Sequence, residues 1–259
     1  MRIDVNASLG SYPWRRVPGT SAEALLEAMD RVGIDQAWVF HLPGIAWRDP
    51  MEGNAWLLDC CARQSRFMPV PSIHPGLPGW SDELAQMAAR GVRVVRADPT
   101  WYGIAAAGAE MRALVQETGG IGVALMMAVR FEDGRQRHPL DRAEELPAAA
   151  VRALIREHPD ARLIVTHADR AFIEEVHFGS TPDEAGRIWW DVSWVWGPPE
   201  DHLETLLETM GASRFLLGSG QPLRLPETPL ARLDLLDLSA DDRASIESGN
   251  ALALLGHGA

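Results

Sequence analysis

Ile3-Asp4-Val5-Asn6-Ala7-Ser8-Leu9-Gly10 reads as a first β-strand closing on a glycine, and Phe215-Leu216-Leu217-Gly218-Ser219-Gly220-Gln221-Pro222 reads as the last strand and its exit. Between them, short β-branched or apolar runs alternate with amphipathic stretches, the pattern of a parallel sheet with crossover helices. The strand-like runs fall near 2–7, 36–41, 67–73, 91–96, 121–128, 161–166, 187–193 and 214–219. Helix boundaries are signalled between them. Thr20 or Ser21 can cap the helix carrying Leu25, Leu26 and Met29, and Gly33 ends it. Ser81 can cap the helix through Ala89, Pro159 follows the end of another, and Ser239 opens the final helix with Asp241 and Asp242 in its first turn. Eight such units without a linker, repeat or low-complexity tract predict an α/β fold, a single (β/α)8 TIM barrel domain over residues 1–259.

A chain of 259 residues with 46% hydrophobic content can bury one large core. Its net charge of −12 argues against a nucleic-acid partner, since phosphate binding needs a basic surface. No early segment joins a basic start to an apolar run, so no signal peptide is read. The longest strongly apolar stretch, Gly119 to Val129, is too short to span a bilayer, so no membrane partner is expected. Cys60 and Cys61 are adjacent on a predicted helix and ill placed to pair with each other, which fits a reducing, cytoplasmic location. All 24 basic residues are Arg. The absence of Lys excludes a Schiff-base lysine and a carbamylated lysine bridging two metals.

In such a barrel the site is built at the C-terminal ends of the strands. The terminal strand ends resemble those of amidohydrolase-related barrels (amidohydrolase family 2), whose first strand reads Asp-x-His-x-His-x-x-Gly and whose last reads Gly-Ser-Asp-x-Pro. Leu25 to Asp35, Arg66-Phe67-Met68-Pro69-Val70, Arg93-Val94-Val95-Arg96 and Gly249 to Leu255 are similar to further landmarks of that family. The resemblance implies a metal-dependent-hydrolase-like barrel that hydrolyses or decarboxylates small molecules with one or two divalent metals. The metal positions depart from it. Asn6 and Ser8 stand where the two histidines would be, Met126 falls near the strand-5 histidine position, and Gly220 replaces the aspartate. His167 alone matches, at the strand-6 histidine that serves as an acid/base or a metal ligand. Asp4-x-Asn6, Gly218-Ser219-Gly220-x-Pro222 and Glu132-Asp133-x-Arg135-x-x-His138 together resemble an uncharacterised branch in which such a non-metal pattern is the rule. Asn, Ser, Met and Gly cannot supply a firm ligand set and one histidine does not hold a metal, so no metal and no other cofactor are expected.

The loop from Arg130 to His138 follows the fifth strand and overhangs the cavity. Glu132 and Asp133 can act as general base, His138 as acid or base, and Arg135 as anchor for a substrate carboxylate; equally, the loop can be a solvated charged run. Arg96 can clamp a carboxylate or simply pair with Asp98. Asn6 can hydrogen-bond a substrate oxygen or satisfy neighbouring backbone. His41, His74 and His167 can be read as a substitute zinc site or as three separate structural histidines. His177, His202 and His257 read as surface. Trp14, Trp47, Trp101, Trp194 and Trp196 fall in loops on the site face, and can form one apolar pocket for an aromatic ligand, small loop cores, or a contact in a homo-oligomer.

Three functions from different classes follow. The first is a metal-independent enzyme acting on a small acidic or aromatic molecule by general acid/base chemistry. It would use His138, His167, Glu132 and Asp133, with Asn6, Arg96, Arg135, Trp14, Trp101 and Trp194 binding the substrate. The second is a non-catalytic barrel that binds a small ligand or stabilises a partner. The third is a metal-dependent hydrolase or decarboxylase with unusual ligands.

Overall fold

The computed structural model describes residues 1–196 and 202–256, so His257 lies outside the described residues. Eight strands occur in the expected order: β1 (Ile3–Leu9), β2 (Gln36–His41), β3 (Phe67–Pro69), β4 (Val94–Arg96), β5 (Ala124–Ala128), β6 (Leu163–Thr166), β7 (Ile188–Asp191) and β8 (Phe215–Leu216). All sequential pairs with a ladder are parallel, in two runs from β1 to β3 and from β4 to β8. Two seams close the runs into a barrel. Ile73 N–H donates to the Arg96 carbonyl at 2.7 Å and Arg96 N–H to that of Pro71 at 2.8 Å; Val5 N–H donates to Leu217 at 2.8 Å and Gly220 N–H to Asn6 at 2.8 Å. Each short strand is followed by at least one helix on the outside, as a right-handed crossover requires.

The period-two alternation of the strands sorts side chains into two layers. Val94, Met126, Ile164 and Leu216 pack inside the barrel with Trp38 and Phe40. Val95, Leu125, Met127, Leu163 and Val165 face outwards against Leu114, Val151, Leu154, Ile173 and Leu206 of the surrounding helices. The same alternation carries Arg96 inwards from the end of β4, where it is fully buried.

The capping signals mostly hold. Ser21 Oγ accepts from Ala24 N–H, Gly33 takes the left-handed φ of 70° at the other end of that helix, and Ser239 accepts from Asp242 N–H. Ser81 does not cap: its helix begins at Trp80 after Gly79, and the Ser81 hydroxyl donates to Glu117 at 2.8 Å instead. His177 and His202 lie on helices, at Arg170–Phe178 and His202–Met210. No described helix is long and apolar enough to cross a membrane.

Beneath the mouth, Asp4 of β1 is fully buried and tied to the exit of β8. Its Oδ1 accepts from the N–H groups of Asn6 at 3.0 Å and Ser219 at 2.9 Å, and its Oδ2 from Ser219 Oγ at 2.5 Å. Burial raises its pKa to about 6, in spite of these donors.

Candidate active site

At the mouth, the register shift within β1 and the ends of β6 and β7 bring Asn6, His167 and Asp191 together, each at most 2% exposed. Asn6 Nδ2 lies 2.9 Å from His167 Nε2 and 2.7 Å from Asp191 Oδ2. An ionised carboxylate only accepts, so the Asn6 atom facing Asp191 is the NH2 group, and it donates to His167 Nε2 as well. That fixes the His167 proton on Nδ1, which lies against the Arg130 backbone without a well-formed hydrogen bond. The other Asp191 oxygen accepts from His167 N–H at 2.8 Å. This bond holds His167 at φ 57°, the sole left-handed non-glycine among the described residues. Such backbone outliers persist only where surrounding contacts over-determine them. Burial, reinforced by the charges of Arg224 and Arg96, depresses the His167 pKa well below 6.5, so the ring is neutral at physiological pH.

Around this triad stand arginines and aromatic rings. Arg96 pairs with Asp98, Nε to Oδ2 at 2.7 Å, and its guanidinium lies over the rings of Phe40 at 4.0 Å and Phe131 at 5.1 Å. Both readings of Arg96 leave their mark, because its Nη2 is buried without a partner. Phe131 sits between Trp101 at 4.8 Å and His167 at 5.7 Å, and Trp194 meets the other side of His167 at 5.7 Å.

The five tryptophans therefore do not ring one pocket. Trp14, Trp47 and Trp101 line an outer cavity of about 580 Å³ with Thr100, Asp141 and Arg142. Asp141 fixes Trp101 there by accepting from its Nε1 at 3.1 Å. Trp194 is 3% exposed behind His167, with Trp196 beside it at 6.5 Å. Phe131 intervenes because the chain leaving β5 turns this ring down into the mouth.

The Glu132–His138 loop makes its own contacts. Glu132 accepts from Arg15 Nε at 2.6 Å and Tyr12 Oη at 3.1 Å. Asp133 is bridged by Arg135 through three hydrogen bonds of 2.9 Å, which hold its carboxyl well below the usual range. The Arg135 side chain is 82% exposed. His138 Nδ1 accepts from Leu140 N–H at 3.2 Å in a local turn. Among the described residues no contact joins His138 or Arg135 to His167. Two groups that belong to the mouth draw no role from the sequence: Asp191, the last residue of β7, and Arg224, which lies beyond any strand.

The donors at the mouth do not fit a metal ion. A Zn²⁺ shared by His167 Nε2 and Asp191 Oδ2 would lie about 2.0–2.2 Å from each, in the space that the Asn6 amide occupies. Nor do the other histidines converge: His41 packs on Trp47 at 4.7 Å and His74 stacks on Tyr102 at 4.4 Å. Among the described residues no three His, Cys, Asp or Glu side chains come together as ligands.

Fold and site define an α/β barrel of the metal-dependent hydrolase architecture. The chain belongs to the amidohydrolase family, whose model matches residues 8–257. No curated protein is close enough in sequence to match. Solved structures similar to it include 5-carboxyvanillate decarboxylase from Sphingomonas paucimobilis, with a TM-score of 0.76 and 13% identity over 98% of each chain. A dihydroxybenzoic acid decarboxylase from Polaromonas, solved with manganese and the inhibitor 2-nitroresorcinol, gives 0.74 and 13%, covering 98% of this chain and 96% of that one. An uncharacterised TIM-barrel protein from Bordetella bronchiseptica gives 0.75 and 15%, covering 99% and 98%. At these identities the likeness establishes the fold and leaves the reaction to the site.

Proposed function

We propose that this chain is an enzyme that acts on a small ring-bearing carboxylic acid without a metal ion, with His167 as the proton-handling group. The observation that supports this most is the Asn6 amide bridging His167 Nε2 and Asp191 Oδ2. It gives one imidazole nitrogen a defined lone pair, in a buried mouth, on a strained backbone. Asp191 positions the ring through its backbone, and Asn6 sets its tautomer. A substrate anion brought beside the ring raises its pKa, because a negative neighbour favours the imidazolium. Substrate binding would thereby turn a weak base into an effective one at Nε2 as the Asn6 hydrogen bond yields. Trp14 and Trp101 offer stacking surfaces for the ring, and Arg96 offers a donor with no partner. The Glu132–His138 loop enters this reading through Asp133, whose charge acts on Arg130 and Arg224. The substrate class is taken from the ring-bearing acids in the names of the similar decarboxylases.

A second reading, a ligand-binding barrel without turnover, draws support from Phe131, which separates the outer cavity from His167. The test is a panel of ring carboxylic acids offered to protein dialysed against chelator and checked by elemental analysis. Turnover in metal-free protein, lost in His167→Asn with ligand affinity retained, supports the enzyme. Tight binding with no product supports the carrier. Turnover that appears only on adding manganese or zinc refutes metal independence.

A further inference from the structure

Of the arginines at the mouth, one has no compensating carboxylate. Arg96 is paired with Asp98 at 2.7 Å, and Arg130 with Asp169 at 2.6 Å and Glu145 at 2.8 Å. Arg224 makes no ion pair among the described residues, and its Nε is buried without a hydrogen-bond partner. Asp191 and Asp133 act on it only through longer-range attraction. Its guanidinium instead lies on the ring of Trp194, 3.5 Å from the centre, with Trp196 at 5.7 Å. Burial lowers its pKa to about 10, which leaves it charged at neutral pH. The glycine at 220 makes this placement. Arg224 N–H donates to the Gly220 carbonyl at 3.1 Å, and Gly220 has a φ of 73°. A Cβ at 220 would stand 3.1 Å from His167 Nε2 and 3.2 Å from Arg224 Cδ. Any side chain there would crowd the arginine away from the histidine.

We propose that Arg224 is the specificity-determining anion anchor of the mouth, its guanidinium held on Trp194 to take the carboxylate of the ligand beside His167. A planar guanidinium matches a carboxylate with two parallel hydrogen bonds, and stacking on an indole fixes its plane in advance. A partly desolvated cation with an unused donor gains more from an arriving carboxylate than one already paired. The inference rests on the preceding reading that the ligand is a ring-bearing acid.

The test is a titration of wild type, Arg224→Gln and Arg224→Lys with benzoate and with its neutral counterpart benzamide. Binding is read by calorimetry and by the fluorescence of the tryptophans, and folding by thermal unfolding. Wild type should prefer benzoate by about tenfold or more. Arg224→Gln should abolish that preference while leaving benzamide binding unchanged, and Arg224→Lys should keep a reduced preference. If Arg224→Gln does not fold, the lysine variant carries the test, since it keeps the charge but loses the fork. A benzoate preference undiminished in the variant that folds overturns Arg224 as anchor and leaves the ring-acid reading standing. Wild type that binds neither compound, or both equally, overturns the anchor and the acid class together.

Discussion

Asn6 and His167 meet across the barrel mouth, 161 residues apart in sequence, with 2.9 Å between Asn6 Nδ2 and His167 Nε2. The contact joins the first strand to the sixth and gives the imidazole one tautomer. Its energetic weight is open to direct measurement. In Asn6→Ala, both Asp191 Oδ2 and His167 Nε2 lose their donor in a buried setting, which should cost about 1–3 kcal/mol of stability. Equilibrium urea unfolding would read this as a lower midpoint at unchanged slope, and a midpoint equal to that of wild type would show that the bridge carries no load.

Stability should fall in mild acid through His167. The buried ring stays neutral in the folded chain at pH values where the unfolded chain, with its ordinary pKa of 6.5, already binds a proton. Below pH 6.5 the unfolded state therefore holds more protons and gains on the folded one, and above it the contribution is constant. His167→Asn, in which Asn tolerates the left-handed backbone, should remove a slope of up to about 1.4 kcal/mol per pH unit. His41 and His74 are depressed in the same direction by burial, while Asp4, raised to about 6, works the opposite way. The informative quantity is thus the difference between the variant and wild-type pH profiles, and identical profiles would refute a neutral buried His167.

Phe131 should behave as a partition. Truncation to Ala removes a ring that is 2% exposed and should destabilise by about 3–5 kcal/mol. It should also open His167 to the outer cavity. The His167 ring resonances in an NMR titration should then move towards an ordinary midpoint. A midpoint still as depressed as in wild type would mean that other walls, such as Trp194, keep the ring dry.

Trp101 should matter to ring-bearing ligands and not to stability alone. Its indole N–H is held by Asp141 and its ring lies between Phe131 and the Arg137 guanidinium. Trp101→Leu should weaken an aromatic acid by about tenfold, the size of one good ring contact. Calorimetry with an aromatic acid and an aliphatic acid of equal charge checks this, since only the aromatic one should lose affinity.

Much of this was legible in the chain. The eight apolar runs give the barrel because each is too short for a helix and is separated by capped amphipathic segments. Strand ends were harder. The run at 67–73 stops its ladder at Pro69, since Pro69 and Pro71 have no N–H to donate; the chain then crosses to Arg96 through Ser72 and Ile73. Arg96 could be placed because strand alternation turns it inwards, and Asn6 and His167 because they stand at the strand-1 and strand-6 positions of the family motif, although a register shift in β1 and the left-handed backbone at His167 break the alternation there. Arg224 could not, because it follows an irregular turn where no periodicity says which way a side chain runs. The available signal was local: Gly220 where the family writes an aspartate, with an arginine four residues on. The role of Phe131 was hidden for a similar reason, since a loop ring is placed by what it packs on.

The bond from Asp4 to Ser219 has a consequence for how the chain is made. The two residues are 215 apart. While the chain grows from the ribosome, the carboxyl of Asp4 waits without its β8 donors until Ser219 has cleared the exit tunnel. Closing so distant a pair early is entropically expensive, so the outer edge of β1 stays unpaired until β8 is made, while the chain leaving β3 can already close on Arg96. An unpaired strand edge is a template for pairing with another chain, and here it is covered only when Val5, Ser8 and Asp4 meet Leu217, Gln221 and Ser219 of the same molecule.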